Sequence, residues 1–268
     1  MKQASPSSAD TQRGSPDRFG YEWTNYSEIR AEYEEQFLRW IPFLKSTDWK
    51  NIAFLDVGCG MGRNSYWPLS YGAKTGMAID VDEGTLASAK ATLSTFKNAE
   101  VRFLSAYDID YSNQFDLAFS IGVIHHLEFP QKALKGMFQA VKPGGRVTIW
   151  VYGYENNEWI VHFFNPFRKL LFSRLPISVV HHLSLYPSIF LYLALRTGIF
   201  RLEYLKLLRK FAFPHIRSIV FDQMLPKIAN YWTKGQVETL LVETGLVDVR
   251  LQHVNEMSWA AIGTKPQS

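Results

Sequence analysis

The residues best placed to do chemistry fall in two short stretches. The first reads Asp56-Val57-Gly58-Cys59-Gly60-Met61-Gly62, with Asp80 following 20 residues after Gly60. The apolar run Ile52–Val57 reads as a buried strand. The glycines after it allow backbone angles that a side chain forbids and let a ligand approach the main chain. Asp80 closes the next strand-like run, Thr75–Asp80, where a carboxylate can accept both hydroxyls of a ribose. This succession predicts a site for an adenosine-type cofactor. The second stretch is His125-His126, after the apolar run Phe115–Ile121. A histidine at the carboxyl end of a strand can deprotonate a hydroxyl at neutral pH. The plainer reading is that the pair caps the strand and steadies the turn.

Spacing selects among cofactors. A dinucleotide fingerprint needs a third glycine where this chain has Arg63. Asp56, two residues before the first glycine, would repel a pyrophosphate but can bind the ammonium of an amino-acid moiety. Its alternative role is to hold the glycine turn through backbone amides. These residues resemble the first motif of the class I S-adenosylmethionine-dependent methyltransferases. The resemblance continues through Asp80 and Val81, Tyr107-Asp108-Ile109, Phe115–Ser120 and Val141-Lys142-Pro143-Gly144-Gly145, in order. It implies S-adenosylmethionine as cofactor, held by Asp56, Gly58, Gly60, Asp80, Val81, Asp108, Ile109 and Ser120. Asp108 fits the family's adenine-contacting acid only with a one-residue offset, which places Tyr107 at the expected position. The Asn/Asp-Pro-Pro-aromatic motif of base and amide N-methylating enzymes has no match at Ser120–Val123, which disfavours that chemistry. No radical cysteine cluster is present, so transfer should be polar.

The elements that must position these residues alternate strand and helix. Strands are expected near 52–57, 75–80, 100–104, 115–121 and 146–152, and helices near 27–44, 62–70, 83–95, 130–141 and 233–244. Asp82 and Thr233 are expected N-caps. Val247–Val254 and Met257–Thr264 read as an antiparallel pair. The fold class is therefore α/β: a doubly wound, mostly parallel seven-stranded sheet with helices on both faces, an antiparallel C-terminal strand pair and a helical insertion. The expected organisation is a disordered tail at 1–17, an aromatic segment and helix at 18–50, a core at 51–152 and 231–268, and the insertion at 153–230. In the family that position commonly supplies a lid over the acceptor.

Candidate acceptor contacts flank the insertion: Tyr152, Tyr154 and Glu158 where the chain leaves the core, Asp222 and Tyr231 where it returns. For each, packing or capping is the plainer role. Neither His125-His126 nor His181-His182 has a cysteine or carboxylate at ligand spacing, so no metal site is expected. The 268 residues are 47% apolar, carry net charge +4 and contain one cysteine, Cys59, which fixes no disulfide and suits a reducing compartment. Met1–Asp17 is polar with no apolar leader, so the cytoplasm is the default location. Charge is uneven: Val161–Val220 holds nine basic residues and one acid. Interleaved with Phe, Leu and Tyr, these cations fit either a solvated lid face or an anionic membrane surface. The uncharged run Leu175–Leu195 is long enough to span a bilayer but is broken by two prolines, so a buried or interfacial helix is preferred. The expected reaction is O-methylation of a small, apolar or lipid-like molecule. Protein or RNA methylation, and an inactive cofactor-binding scaffold, are the rivals. Nucleic acid ranks lowest among partners, and the sequence is silent on oligomeric state.

Overall fold

A strand can rejoin its neighbour in the same direction only through a crossover, so alternating strands and helices wind into a parallel sheet. The computed structural model describes residues 29, 32–198 and 203–267. The expected tail at 1–17 and the aromatic segment that follows it lie outside these residues. Five strands run parallel: β1 (Ala53–Val57), β2 (Thr75–Asp80), β3 (Ala99–Phe103), β4 (Phe115–Ile121) and β5 (Val141–Tyr152). Two more, β6 (Val247–Val254) and β7 (Ser258–Thr264), complete a sheet of order β3-β2-β1-β4-β5-β7-β6, with β7 antiparallel to both neighbours. The winding direction reverses between β1 and β4, and such a switch point opens a crevice at the carboxyl ends of the strands.

Helices cover both faces. On one, α1 (Glu32–Trp40), α2 (Arg63–Ser70) and α3 (Glu83–Leu93) pack Phe37, Leu69 and Leu86 with Trp49, Phe54 and Phe119. On the other, α4 (Pro130–Ala140) brings Leu134 and Met137 against Leu55, Val57 and Ile149. Helix α3 starts on Asp82, whose side chain accepts from Thr85 N at 2.7 Å. Helix α1 stops at Trp40 rather than running on to residue 44, because Pro42 cannot continue the helical ladder. Strand β5 begins at Val141 rather than 146. Gly144, at φ +76°, lets the Lys142–Gly145 segment bulge while still pairing: its N–H donates to Lys265 O, and Lys265 N donates to Gly145 O.

Beyond β5 the chain leaves the sheet. A π-turn at Ile160–Phe164 leads to α5 (Asn165–Leu170), α6 (Ile177–Arg196), α7 (Glu203–Leu208) and α8 (Phe213–Met224). The chain returns in α9 (Lys234–Val242), whose capping box pairs Thr233 with Gln236. The two ends of this excursion are zipped together. Trp232 N donates to Tyr152 O at 3.1 Å, and Tyr154 N donates to Trp232 O at 3.0 Å. The helices build their own small cores, Leu195, Leu207, Phe211 and Ile216 in one and Val180, Phe221 and Met224 in the other. Helix α6 lies along α8 and buries Val180, Ser184 and Ser188. The two serines satisfy their hydroxyls on carbonyls of their own helix.

Candidate active site

The first strand ends where three glycines adopt left-handed backbone: Gly58 (φ +77°), Gly60 (+55°) and Gly62 (+84°). The turn folds back on β2, with Gly58 N and Cys59 N both donating to Ile79 O. Asp80, at the end of β2, accepts from Gly60 N at 3.0 Å on one oxygen and from Val81 N at 2.7 Å and Asp82 N at 3.2 Å on the other. Burial raises its pKa, and the three amides partly offset this. A carboxylate oxygen has two acceptor positions, so the oxygen bonded to Gly60 keeps one for an incoming hydroxyl.

Asp56 is buried and accepts from Ser65 Oγ on α2 at 2.7 Å, not from the glycine amides. Burial, reinforced by the Asp80 charge and opposed by the Ser65 hydroxyl, pushes its pKa up to about 7. Asn64, at the start of α2, has its Oδ1 buried without a hydrogen-bond partner. The donor set therefore lacks a cation: a carboxyl poised between its two forms and an orphaned carbonyl oxygen suit an ammonium group. The glycine turn and Asp80 suit the ribose end of S-adenosylmethionine, and the residues fit that cofactor. Cys59 is buried, and burial raises its thiol pKa well above the ordinary value, consistent with a filler.

A second cluster stands beside the turn. A Cβ at Gly58 would lie 2.4 Å from Val123, two residues before His125. His125 is fully buried, its ring centroid 3.9 Å from that of Tyr152 and 4.1 Å from that of His126, and neither ring nitrogen has a hydrogen-bond partner. His126 Nδ1 lies 2.8 Å from Ile228 O, and because a carbonyl only accepts, this nitrogen carries the proton and Nε2 is the acceptor. Burial, aided by the Arg168 charge and opposed by the Ile228 carbonyl, holds the His126 pKa near 4. Tyr152 Oη donates to Asp222 Oδ2 at 3.3 Å and accepts from Gln223 Nε2 at 2.8 Å, while Tyr231 stacks on Tyr152 and donates to Gln223 Oε1. Asn230 fixes the histidine loop by donating from N to His125 O at 2.9 Å and from Nδ2 to Leu127 O at 3.3 Å.

The structure thus brings His125, His126, Tyr152, Asp222 and Tyr231 together. Tyr154 turns instead to His162, at 3.2 Å, and Glu158 is exposed. Asp108 is exposed, 3.7 Å from Lys132, while Ile109 joins the core. Ser120 is buried in the sheet and donates to Val57 O at 2.8 Å. Sequence reasoning missed Ser65, Asn64 and Arg168. Arg168 was counted with the basic surface and is instead fully buried. Its flanking residues, Phe167 and Lys169, carry no signal that would have singled it out.

The Asp56 shift has a consequence for stability. Its folded-state pKa of about 7 lies above the 3.8 of the free side chain, so between those values the folded protein holds the extra proton and loses stability as pH rises. Without cofactor, Asp56→Asn should gain on the wild type between pH 5 and pH 8 by up to about 2–3 kcal/mol, one proton setting a ceiling of about 1.4 kcal/mol per pH unit. Urea unfolding at both pH values measures this; a constant difference would mean that Asp56 is not perturbed.

Comparison with known proteins places this geometry. Residues 55–149 match the family described as Methyltransferase domain. The tRNA U34 carboxymethyltransferase of Helicobacter pylori is 29% identical over 131 residues, covering 46% of this chain and 49% of that protein. The ubiquinone biosynthesis O-methyltransferase of Pseudomonas fluorescens is 32% identical over 130 residues, covering 47% of this chain and 55% of that protein. The chain thus spans about half the length of each relative. Human N-acetylserotonin methyltransferase, solved in complex with S-adenosylmethionine, superposes with TM-score 0.55 at 12% identity over 93% of this chain and 56% of that one, a likeness of fold. Sheet order, glycine turn and sequence match agree: residues 55–149 form a methyltransferase domain, and its fold and motifs are similar to those of the class I S-adenosylmethionine-dependent methyltransferases.

Proposed function

We propose that the chain transfers a methyl group from S-adenosylmethionine to an oxygen of a small, largely apolar acceptor, with the 153–230 helices closing over it as a lid. The observation that carries this reading is the contact of the glycine turn, through Gly58 and Val123, with the loop bearing His125 and His126. Cofactor and acceptor would then meet at one edge of the sheet. When bound, the cofactor supplies an electrophilic methyl group on a sulfonium. Asp80 would take a ribose hydroxyl on its remaining acceptor position, and Asp56 with Asn64 Oδ1 would take the ammonium. Tyr152 and Tyr231 form an aromatic wall that orients the acceptor and excludes water. His126, with Nδ1–H held by Ile228 O, receives the acceptor's proton on Nε2. Retention of this whole donor set argues against an inactive scaffold. The tRNA-modifying relative keeps an RNA acceptor as the second reading.

A membrane-surface location is supported by where the apolar residues lie. On α6, Tyr186, Phe190 and Leu193 are 61%, 76% and 62% exposed, and Phe163, Phe167 and Leu170 are also exposed. This helix is long and apolar enough to cross a membrane by length and composition, yet only 17% of its apolar window is buried. Exposed Arg174, Arg196, Arg209 and Lys210 belong to the same helical excursion. Exposed apolar side chains and exposed cations on one helical excursion suit shallow seating on an anionic bilayer, worth about 1 kcal/mol per contacting cation. We infer a cytoplasmic enzyme that works at such a surface on an amphiphilic acceptor.

Three measurements test this. Asp80→Ala should weaken S-adenosylmethionine binding by about 1.5–3 kcal/mol in calorimetry, the range for a charge-assisted hydrogen bond. Unchanged affinity would remove Asp80 from the site. With an acceptor found by screening small-molecule, lipid and RNA fractions for labelled methyl uptake, His126→Ala should cut turnover about 10²–10⁴-fold at unaltered cofactor affinity. Near-normal turnover would make the histidine structural. Finally, the protein should sediment with anionic but not neutral vesicles and lose binding as salt rises. Phe190→Asp with Leu193→Asp should weaken this at least about tenfold. A protein that stays in the supernatant throughout is a soluble enzyme with a solvated lid.

A further inference from the structure

Arg168 lies on α5, the first α-helix beyond the sheet, and is fully buried. None of its Nε, Nη1 and Nη2 atoms has a hydrogen-bond partner, and no acidic side chain among the described residues pairs with it. Its charge acts on His125, His126 and Tyr231, so it lies within electrostatic range of the histidine cluster. The Tyr231 hydroxyl is near it but outside hydrogen-bond geometry. A guanidinium does not shed its proton in a protein, so it cannot escape burial by becoming neutral. A buried charge left alone is strongly destabilising. His125, within range of that charge, adds two more unsatisfied polar atoms, both ring nitrogens, and is equally buried. A neutral imidazole offers one donor and one acceptor, so one of these atoms is an unused N–H.

We propose that Arg168 anchors an anionic group of the methyl acceptor, a carboxylate or a phosphate, with His125 donating a further hydrogen bond to the same oxyanion. This rests on the acceptor-site reading above and narrows it: the acceptor is an acid with an apolar body. The planar fork of a guanidinium matches either oxyanion through paired N–H donors, and a water-excluded setting strengthens each bond. Seating the anion would also offset the Arg168 charge, which adds to burial in keeping His126 a weak base.

Thermal unfolding of the full chain, with and without S-adenosylhomocysteine, tests this against three probes: benzoate, phenyl phosphate and uncharged benzyl alcohol. At ten times its Kd, at least one anion should raise the wild-type Tm by about 3 °C or more, while the alcohol does not. The stronger of the two anions identifies the oxyanion the site takes. Arg168→Met should lose this response and, without ligand, unfold at the same temperature as the wild type or higher, because an apolar side chain replaces an uncompensated charge. If that variant does not fold, the wild-type titration still decides when followed by the imidazole proton resonances of His125 and His126, which should shift with the anion. Anions that leave the wild-type Tm and those resonances unchanged, or that stabilise Arg168→Met equally, overturn the proposal. Cofactor binding is read separately by calorimetry with S-adenosylhomocysteine. Intact cofactor binding without an anion response defeats the anion site alone. An anion response without cofactor binding defeats the methyltransferase reading and leaves the anion site standing.

Discussion

The carboxyl edge of the sheet depends on one close approach, between the main chain at Gly58 and the side chain of Val123. At φ +77°, with no Cβ, Gly58 lets the loop after β4 settle onto the turn after β1. Any larger residue would drive these loops apart and carry His125 and His126 away from the turn. Asp80 reaches across from β2 to Gly60 N, so the ends of three neighbouring strands are fastened at one point. A parallel sheet supplies the crevice, and this contact sets what stands at its mouth.

The helical excursion depends on a second fastening at its root. Tyr152, Tyr154 and Trp232 exchange backbone bonds, and Asn230 grips the carbonyls of His125 and Leu127. Entry and return are thus held beside the histidine loop. The excursion distributes its side chains in an unusual way: the Arg168 guanidinium is buried, while Phe190 and Leu193 are exposed. In a soluble lid the reverse is expected, because burying a charge and exposing large apolar side chains both cost free energy. Both departures make sense if ligands complete the structure, an oxyanion inside and a lipid surface outside.

Charge inside the site follows the same logic. Around Asp56 and Asn64 the interior needs a cation, and around Arg168 and His125 it needs an anion. A zwitterionic cofactor end and an acidic acceptor would satisfy these two needs in turn, so binding energy is available to align the two reactants.

Much of this was legible in the residues. The strands at 75–80 and 115–121, the caps at Asp82 and Thr233, and the glycine turn with Asp80 all follow from local rules of apolar runs, caps and left-handed glycines. The early start of β5 was not, because a bulge at Gly144 depends on pairing with Lys265, far along the chain. Ser120 and Asp108 were placed by family position, yet their partners are Val57 O and Lys132, which only the packed chain reveals. Arg168 is the clearest case. By type and neighbours it belongs on a surface, and the turn of one short helix put it in the interior. Sequence by itself determined the sheet, the cofactor-type turn and the uneven charge, since periodicity and glycine placement act locally. Only the tertiary structure decided which polar atoms were left without partners, because that depends on every element surrounding them.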